Sequence, residues 1–397
     1  MLPDAEAPAD EAGIVAAVER ARARREPLSI QGRGTKTGML RPVQAARGLS
    51  TRNLVGITLY SPTELIISAR AGTTVSVLEA ALAEKGQQLI AEPPDLSALL
   101  GYQGEQTLGG LVATNLSGPR RITWGAMRDH VMGVRAVNGL GEVIRSGGRV
   151  LKNVTGLDLC KLLSGSHGTL GVLTEITLKV LPRAETTGSL VLPGLDAAAG
   201  VAALSLALGS PFGVSGAAWL PAEAASRVPG LAGLGAVTLV RIEDFAASVA
   251  YRLDRLATLF GDARRLDDAE SRAVWLAVRD AVPLQVHDGE AIWRVSVRPS
   301  KGPGVLAAVA AAGGRGFLDW GGGLVWLAGP AGAHEAVIAA ALAAQGVWTL
   351  LHGPEPMRAA VDVVPPEPAA LAAITRRVKA SMDPAGILNP GRITAGL

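Results

Sequence analysis

Three glycine-dense segments constrain this chain more than any other feature: Gly32-Arg33-Gly34-Thr35-Lys36-Thr37-Gly38, Thr107 to Gly118, and Gly165 to Gly171. A bend rich in glycine lets consecutive backbone N–H groups converge on an anion, because no Cβ obstructs close approach. The first segment follows the short alternating strand Leu28-Ser29-Ile30, and Thr35 adds a hydroxyl donor. A dinucleotide fingerprint would open a helix directly and carry an acid about 20 residues on. Here the sequence runs through Gly38 to Pro42 with no helical pattern, and no Gly-Lys-Thr closes a Walker loop. On its own residues this first loop reads equally well as a tight turn or a phosphate cradle. The second segment adds Gly109, Gly110, Thr114, Asn115, Ser117 and Gly118 around an apolar helical turn. Loops this dense in glycine imply backbone packed against something flat and large, with the stiff Glu92-Pro93-Pro94-Asp95 turn walling one edge.

Composition narrows the class. The 38 Lys+Arg and 35 Asp+Glu leave a formal charge of only +3 over 397 residues. The one basic cluster, Arg20, Arg22, Arg24 and Arg25, sits beside Glu19 and Glu26 on a predicted helix, which argues against a nucleic-acid stripe. Cys160 is the single cysteine, so this chain alone holds no disulfide, zinc knuckle or iron–sulfur cluster. The five histidines show no metal-ligand spacing, and no metal site is expected. Ala197 to Ala222 is uncharged but broken by Gly209-Ser210-Pro211, whereas a membrane span wants about 20 apolar residues. With an acidic start unlike a signal peptide, the chain is expected to be cytoplasmic, reaching the inner membrane only through partners.

Periodicity predicts helices at Glu11 to Arg25 and Val75 to Lys85, the latter opened by Thr73 or Thr74 and closed by Gly86. Strands are predicted at Leu54 to Leu59, Glu64 to Ala71, Val131 to Asn138, Glu142 to Arg145 and Val172 to Leu181. After Leu181-Pro182, Ala-rich helices alternate with strands. The expectation is an α+β chain whose second half is a mostly antiparallel sheet with helices. The expected domains are 1–182, 183–380 and a tail, 381–397, that returns to the first.

Several motifs are similar in order and spacing to the FAD-binding domain of the vanillyl-alcohol oxidase and p-cresol methylhydroxylase (PCMH-type) superfamily. They are Thr107-Leu-Gly-Gly-Leu-Val-Ala-Thr-Asn115, Trp124-Gly-x-x-Arg-Asp129, Gly147-Gly148-Arg149-x-x-Lys152-Asn153-Val154-x-Gly156-x-Asp158-Leu159, Gly168-Thr-Leu-Gly-Val-Leu-Thr-Glu175 and, far downstream, Asp383-Pro-x-Gly-Ile-Leu-Asn389-Pro390-Gly391. Ile292-Trp-Arg-Val-Ser-Val-Arg-Pro299 and Leu318-Asp-Trp-Gly-Gly-Gly-Leu-Val-Trp326 resemble the FAD-binding (E-type) subunits of glycolate oxidases. The His-rich HGDGNxH motif of the larger sister flavoproteins is absent.

The resemblance implies a two-subdomain FAD-binding domain, an α+β cap domain and non-covalent FAD. Cys160 lies in an apolar stretch, and neither His130 nor His167 falls where a covalent link is expected. It implies that Gly32, Arg33, Gly34, Thr35 and Lys36 cradle the pyrophosphate. Thr107, Gly109, Gly110, Ala113, Thr114, Asn115 and Ser117 would line the cofactor channel, with Pro94 and Asp95 near the flavin. Val172 and Leu173 would face the adenine side, and Asn389 would reach back to the ring. Oxidation of a 2-hydroxy acid needs a cation for the carboxylate and a base for the hydroxyl proton. Arg294, Arg298 and Arg279 are candidate clamps and His287 and His352 candidate bases. Three functions fit: a glycolate oxidase subunit working with a larger flavoprotein and an iron–sulfur subunit, an autonomous oxidoreductase for a 2-hydroxy acid or sugar lactone, and a non-catalytic electron-relay subunit.

Overall fold

The computed structural model describes residues 5–45, 47–148 and 157–397. The Arg149 to Gly156 part of the third motif lies outside them. The chain divides into two compact units: Met1–Ser117 with Ala126–Arg183 and Pro366–Leu397, and Gly118–Gly125 with Ala184–Pro365. The returning segment thus begins at Pro366, not at 381. The helix Ala369–Met382 joins the first unit because its one buried residue, Lys379, is anchored there, donating to the carbonyl of Thr169 at 2.7 Å.

Two hydrophobic cores build the first unit. One lies under an antiparallel sheet in the order Ile57–Ser61, Ile66–Arg70, Val172–Pro182, Val131–Val137, Val143–Gly147, with Gln87–Leu89 also paired to Val172–Pro182. The helices Val75–Ala83 and Leu108–Thr114 bury Leu78, Leu82, Leu111 and Val112 against it. The other core joins the helix Glu11–Arg24, through Ile14 and Val18, to the parallel strands Leu28–Gln31 and Arg47–Ser50 and to Ile387 and Leu388 of the tail. Asp10 opens that helix by accepting from the N–H of Gly13 at 2.8 Å, and Arg25 ends it in the left-handed region (φ 50). The tail pairs directly with the first strand: the N–H of Leu28 donates to the carbonyl of Ile387, and the N–H of Asn389 to that of Leu28.

The second unit is one eight-stranded antiparallel sheet. Its order is Arg264–Leu266, Thr186–Pro193, Val237–Asp244, Gly216–Leu220, Arg315–Asp319, Leu324–Gly329, Ala291–Ser296, Val347–His352. Register assigns the faces, since directly paired residues share one. Trp219, Thr238, Leu318, Val325 and Val295 fall on one face. Against that face pack the helices Ala197–Leu208, Ala246–Phe260, Gly302–Ala311 and His334–Ala343. Gly200 lies against Trp219, Gly188 against Leu253 and Gly302 against Leu318, while Trp293 donates to Nδ1 of His334 at 3.0 Å. Phe317, Trp326 and Arg294 form a cross-strand row on the opposite face. That face also carries Arg241, with the helix Asp268–Arg279 placing Trp275 over it.

Candidate functional site

A cavity lies within the first unit, walled by the Gly32–Lys36 loop, the helix Leu108–Thr114 and the start of the strand Val172–Pro182. Gly32, Arg33, Gly34, Thr35 and Lys36 form one wall. The backbone N–H groups of Arg33, Gly34, Thr35 and Lys36 have no acceptor among the described residues, although Gly34 and Thr35 are buried. Buried donors in that state are rare unless a ligand answers them. Gly34 sits at φ 81, open to glycine without strain. A Cβ on Gly32 would stand 2.3 Å from the Thr107 hydroxyl, so only glycine lets the loop lie this close to the second wall.

That second wall is Thr107, Gly109, Gly110, Ala113 and Thr114. Thr107 opens the helix Leu108–Thr114, accepting from the N–H of Gly110 at 3.2 Å. Val172 and Leu173 close the cavity from the sheet. Lys36 is half-buried at the loop's end, its ammonium donating to Gln106 at 2.9 Å. Burial holds its pKa down to about 8, against the pull of the Asp95 carboxylate.

Four of the residues expected to contact the cofactor do not line this cavity. Asn115 does not wall the cavity: it ends the helix at φ 50, and its side-chain oxygen accepts from the N–H of Arg128 at 2.9 Å. The Ser117 hydroxyl accepts from the N–H of Met127 at 2.9 Å. Pro94 is buried in its turn, and Asp95 accepts from the N–H and hydroxyl of Ser97; neither lines the cavity. Small polar residues serve turn geometry as readily as ligands. Asn389 does line the cavity, but its amide is used by protein. It accepts from the N–H of Ile30 at 2.7 Å and donates to the carbonyls of His167 at 2.7 Å and Ile30 at 3.3 Å. It ties the tail to the loops from inside the cavity wall.

The structure adds residues that the motifs did not single out. Gln31 lines the cavity with its side-chain oxygen buried and unpartnered. Arg392, one residue past the tail motif, also lines it and holds the loop's carbonyls, donating to Lys36, Thr37 and Arg41 at 2.8, 2.9 and 3.1 Å. His167, not expected to carry a covalent flavin link, is part of the wall at φ 52. Burial first, then Arg392, lowers its pKa to about 3, so it stands neutral. Cys160 is buried in the sheet's core with its thiol pushed up by burial, its Sγ 3.4 Å from the carbonyl of Ser146.

The candidate catalytic residues fall in the second unit and do not form one constellation. Arg279 is taken by Asp280 in a two-point ion pair at 2.8 and 2.9 Å. Arg298 is exposed before a short 3-10 turn, and His287 is exposed in the loop before Ala291–Ser296. His352 ends the edge strand opposite Ile292. Arg294 alone lies in a special setting, between Trp320 and Trp326.

Residues 5–147 match the model of an FAD-binding domain. The chain is 35% identical over 96% of both sequences to glycolate oxidase subunit GlcE of Escherichia coli. It is 33% identical to glycolate oxidase subunit GlcD of Bacillus subtilis, over 44% of this chain and 36% of that protein. A D-lactate dehydrogenase of Anaerostipes hadrus is 33% identical over 42% of this chain and 34% of its own. Among solved structures, an alkyldihydroxyacetonephosphate synthase shares the fold with a TM-score of 0.67 at 16% identity, covering 97% of this chain and 75% of that one. Full-length similarity at that level, with a cavity whose orphan amides and glycine walls fit a bound dinucleotide, places the chain in the GlcE family of FAD-linked oxidoreductases.

Proposed function

We propose that this chain is the FAD-binding subunit of a glycolate oxidase, converting glycolate to glyoxylate in a complex with a larger FAD-linked flavoprotein and an iron–sulfur subunit. The observation that carries the reading is the run of unanswered amides from Arg33 to Lys36, inside a cavity on a chain collinear with GlcE. When bound, FAD supplies the two-electron acceptor for the hydride leaving the carbinol carbon. The loop amides and Lys36 hold the diphosphate, Gln31 offers a buried amide, and Asn389 and Arg392 keep the walls closed. With Cys160 its one cysteine, the chain depends on a partner for one-electron relay through a cluster. No helix among the described residues is long and apolar enough to cross a membrane; the location in this reading is cytoplasmic, with membrane contact through partners. The neutral, turn-bound His167 and the core-buried Cys160 support non-covalent flavin.

The test is purification of the chain alone and with its co-purifying partners. The expected product is yellow protein whose flavin is released by acid precipitation and bleached anaerobically by glycolate. Bleaching that needs the partners keeps the subunit reading. Colourless protein after incubation with FAD ends it.

Lys36 gives a second test with two opposite signs. A lysine whose folded pKa is depressed leaves the unfolded chain holding more protons between about 8 and 10.5, so apoprotein stability rises with pH across that window. Diphosphate binding favours the charged form, so FAD affinity falls above pH 8, by at most about tenfold per pH unit for one proton. Thermal melts of apoprotein and FAD titrations between pH 7 and 10 measure both. Affinity that stays flat while Lys36→Met binds as tightly as wild type removes Lys36 from the diphosphate site.

A further inference from the structure

We propose that Arg294, with Arg121 and Trp320, forms a receptor for one small carboxylate on the sheet face opposite the four helices of the second unit. Arg294 points from the strand Ala291–Ser296, with its guanidinium carbon 4.8 Å from the centre of the Trp326 ring and 5.4 Å from that of Trp320. Arg121 approaches Trp320 to 4.8 Å, so two cations share one indole. Indole faces attract a guanidinium by about 0.5–2 kcal/mol, but they accept none of its five N–H groups in a directed hydrogen bond. The Nε of Arg294 is buried without an acceptor, and no hydrogen bond or ion pair joins its guanidinium to any described residue. Part of the residue's surface remains accessible.

The contrast within the unit is sharp. Arg120 holds Glu243 through two bonds, at 3.0 and 2.6 Å, and Arg241 pairs with the same carboxylate at 3.2 Å. Arg120 and Arg241 thus share a carboxylate at ion-pair distance, and Arg294 has none there. Burial and then Arg121 lower its pKa to about 10, with Asp319 opposing, so the group is charged at neutral pH.

Trp320 is held in place. Trp320 takes the left-handed region at φ 53, uncommon for a bulky residue, and is followed by Gly321 and Gly322 at φ 69 and 101. Asp319 fixes its N–H at 2.7 Å, and its indole N–H donates to the carbonyl of Gly118 at 3.1 Å. Strained backbone persists where surroundings over-determine it, often at ligand clamps. A planar two-oxygen anion fits a guanidinium between two rings and answers parallel N–H groups at once. That the natural anion is the hydroxy-acid substrate rests on the glycolate reading; the receptor itself does not.

The test is calorimetric titration of the purified full-length chain with oxalate, against sodium chloride at equal ionic strength, with thermal melts alongside. Oxalate is expected to bind saturably and raise the melting temperature of the wild type. Arg294→Met should weaken oxalate about 10- to 100-fold, the worth of a charge-assisted hydrogen bond. It should melt no lower than wild type without oxalate, because an apolar isostere replaces an unpaired buried charge. Arg294→Lys, a point charge without the fork, should bind more weakly than wild type and more tightly than Arg294→Met. A merely structural stack predicts the reverse: a lower melting temperature for Arg294→Met and no oxalate effect in any variant. Wild type that ignores oxalate beyond chloride, or Arg294→Met or Arg294→Lys that binds it unchanged, overturns the proposal. Visible flavin absorbance in the same samples separates this failure from failure of the FAD reading.

Discussion

Asp383→Ala is expected to strip the protein of flavin and to destabilise the first unit by about 3–5 kcal/mol, roughly a 10 °C fall in melting temperature. The Asp383 side chain is sealed from solvent, and its oxygens accept from the ammonium of Lys379 at 2.7 Å and from the N–H groups of Leu388 at 2.8 Å and Ile387 at 3.1 Å. Lys379 spends its other protons on the carbonyls of Thr169 and Leu388. Removing the carboxylate leaves a buried ammonium short of its counter-charge and two amides without acceptors. Those amides belong to the tail segment that pairs with Leu28, and the next residues along are Asn389 and Arg392, which clasp the cavity walls. Loss of flavin therefore follows from loss of the dock, with no cofactor contact removed. Lys379→Met combined with Asp383→Leu removes both charges, leaves only the two amides orphaned and should recover part of the stability. Thermal melts and flavin per chain measure the effect. Asp383→Ala with full flavin and a melting point within about 2 °C of wild type would detach the tail from the site.

Glycine spacing made the cavity's two facing walls legible, because backbone approach leaves its mark in the residue type itself. Gly32 and Gly34 are fixed by a near neighbour and by a positive φ, and both demands fall on glycine alone. Side-chain polarity was a poorer guide. Asn115 and Ser117 have the chemistry of ligands but answer nearby amides, and Asn389 answers three backbone groups. Gln31 and Arg392 carry no local signal of their own; strand pairing of the tail and the fold of the loop bring them to the cavity, whereas His167 sits inside the third glycine-dense segment.

The same limit governs the fold. The strand Thr186–Pro193 escaped periodicity because six consecutive residues are buried, so no alternation exists to read. The helix Ala369–Met382 fell on the wrong side of the expected boundary because its pattern does not say which unit it serves, and its one buried residue is a lysine. Arg294 was nameable as a clamp by residue type, but its unpaired Nε and its position between two indoles belong to sheet register.

Gly110→Asp is expected to weaken FAD binding by about 100- to 1,000-fold while the apoprotein stays folded, as two like charges about 4 Å apart repel by up to about 4 kcal/mol near a protein surface. The site is chosen because steric and electrostatic effects separate there. A Cβ on Gly110 would meet only the Thr107 hydroxyl, at 3.3 Å, which a shift of a few tenths of an ångström relieves. Gly110 is in the first turn of Leu108–Thr114, where a carboxylate is locally favoured. Gly34, equally exposed to the cavity, is a worse choice: at φ 81 any side chain adds backbone strain that mimics lost affinity. Gly110→Asn carries nearly the same volume without the charge and should lose about tenfold at most, so the ratio of the two isolates electrostatics. Fluorescence titration of FAD into each apoprotein, with circular dichroism as the check on folding, gives the comparison. Gly110→Asp that retains stoichiometric FAD through gel filtration would put the diphosphate outside the space between Arg33–Lys36 and this helix.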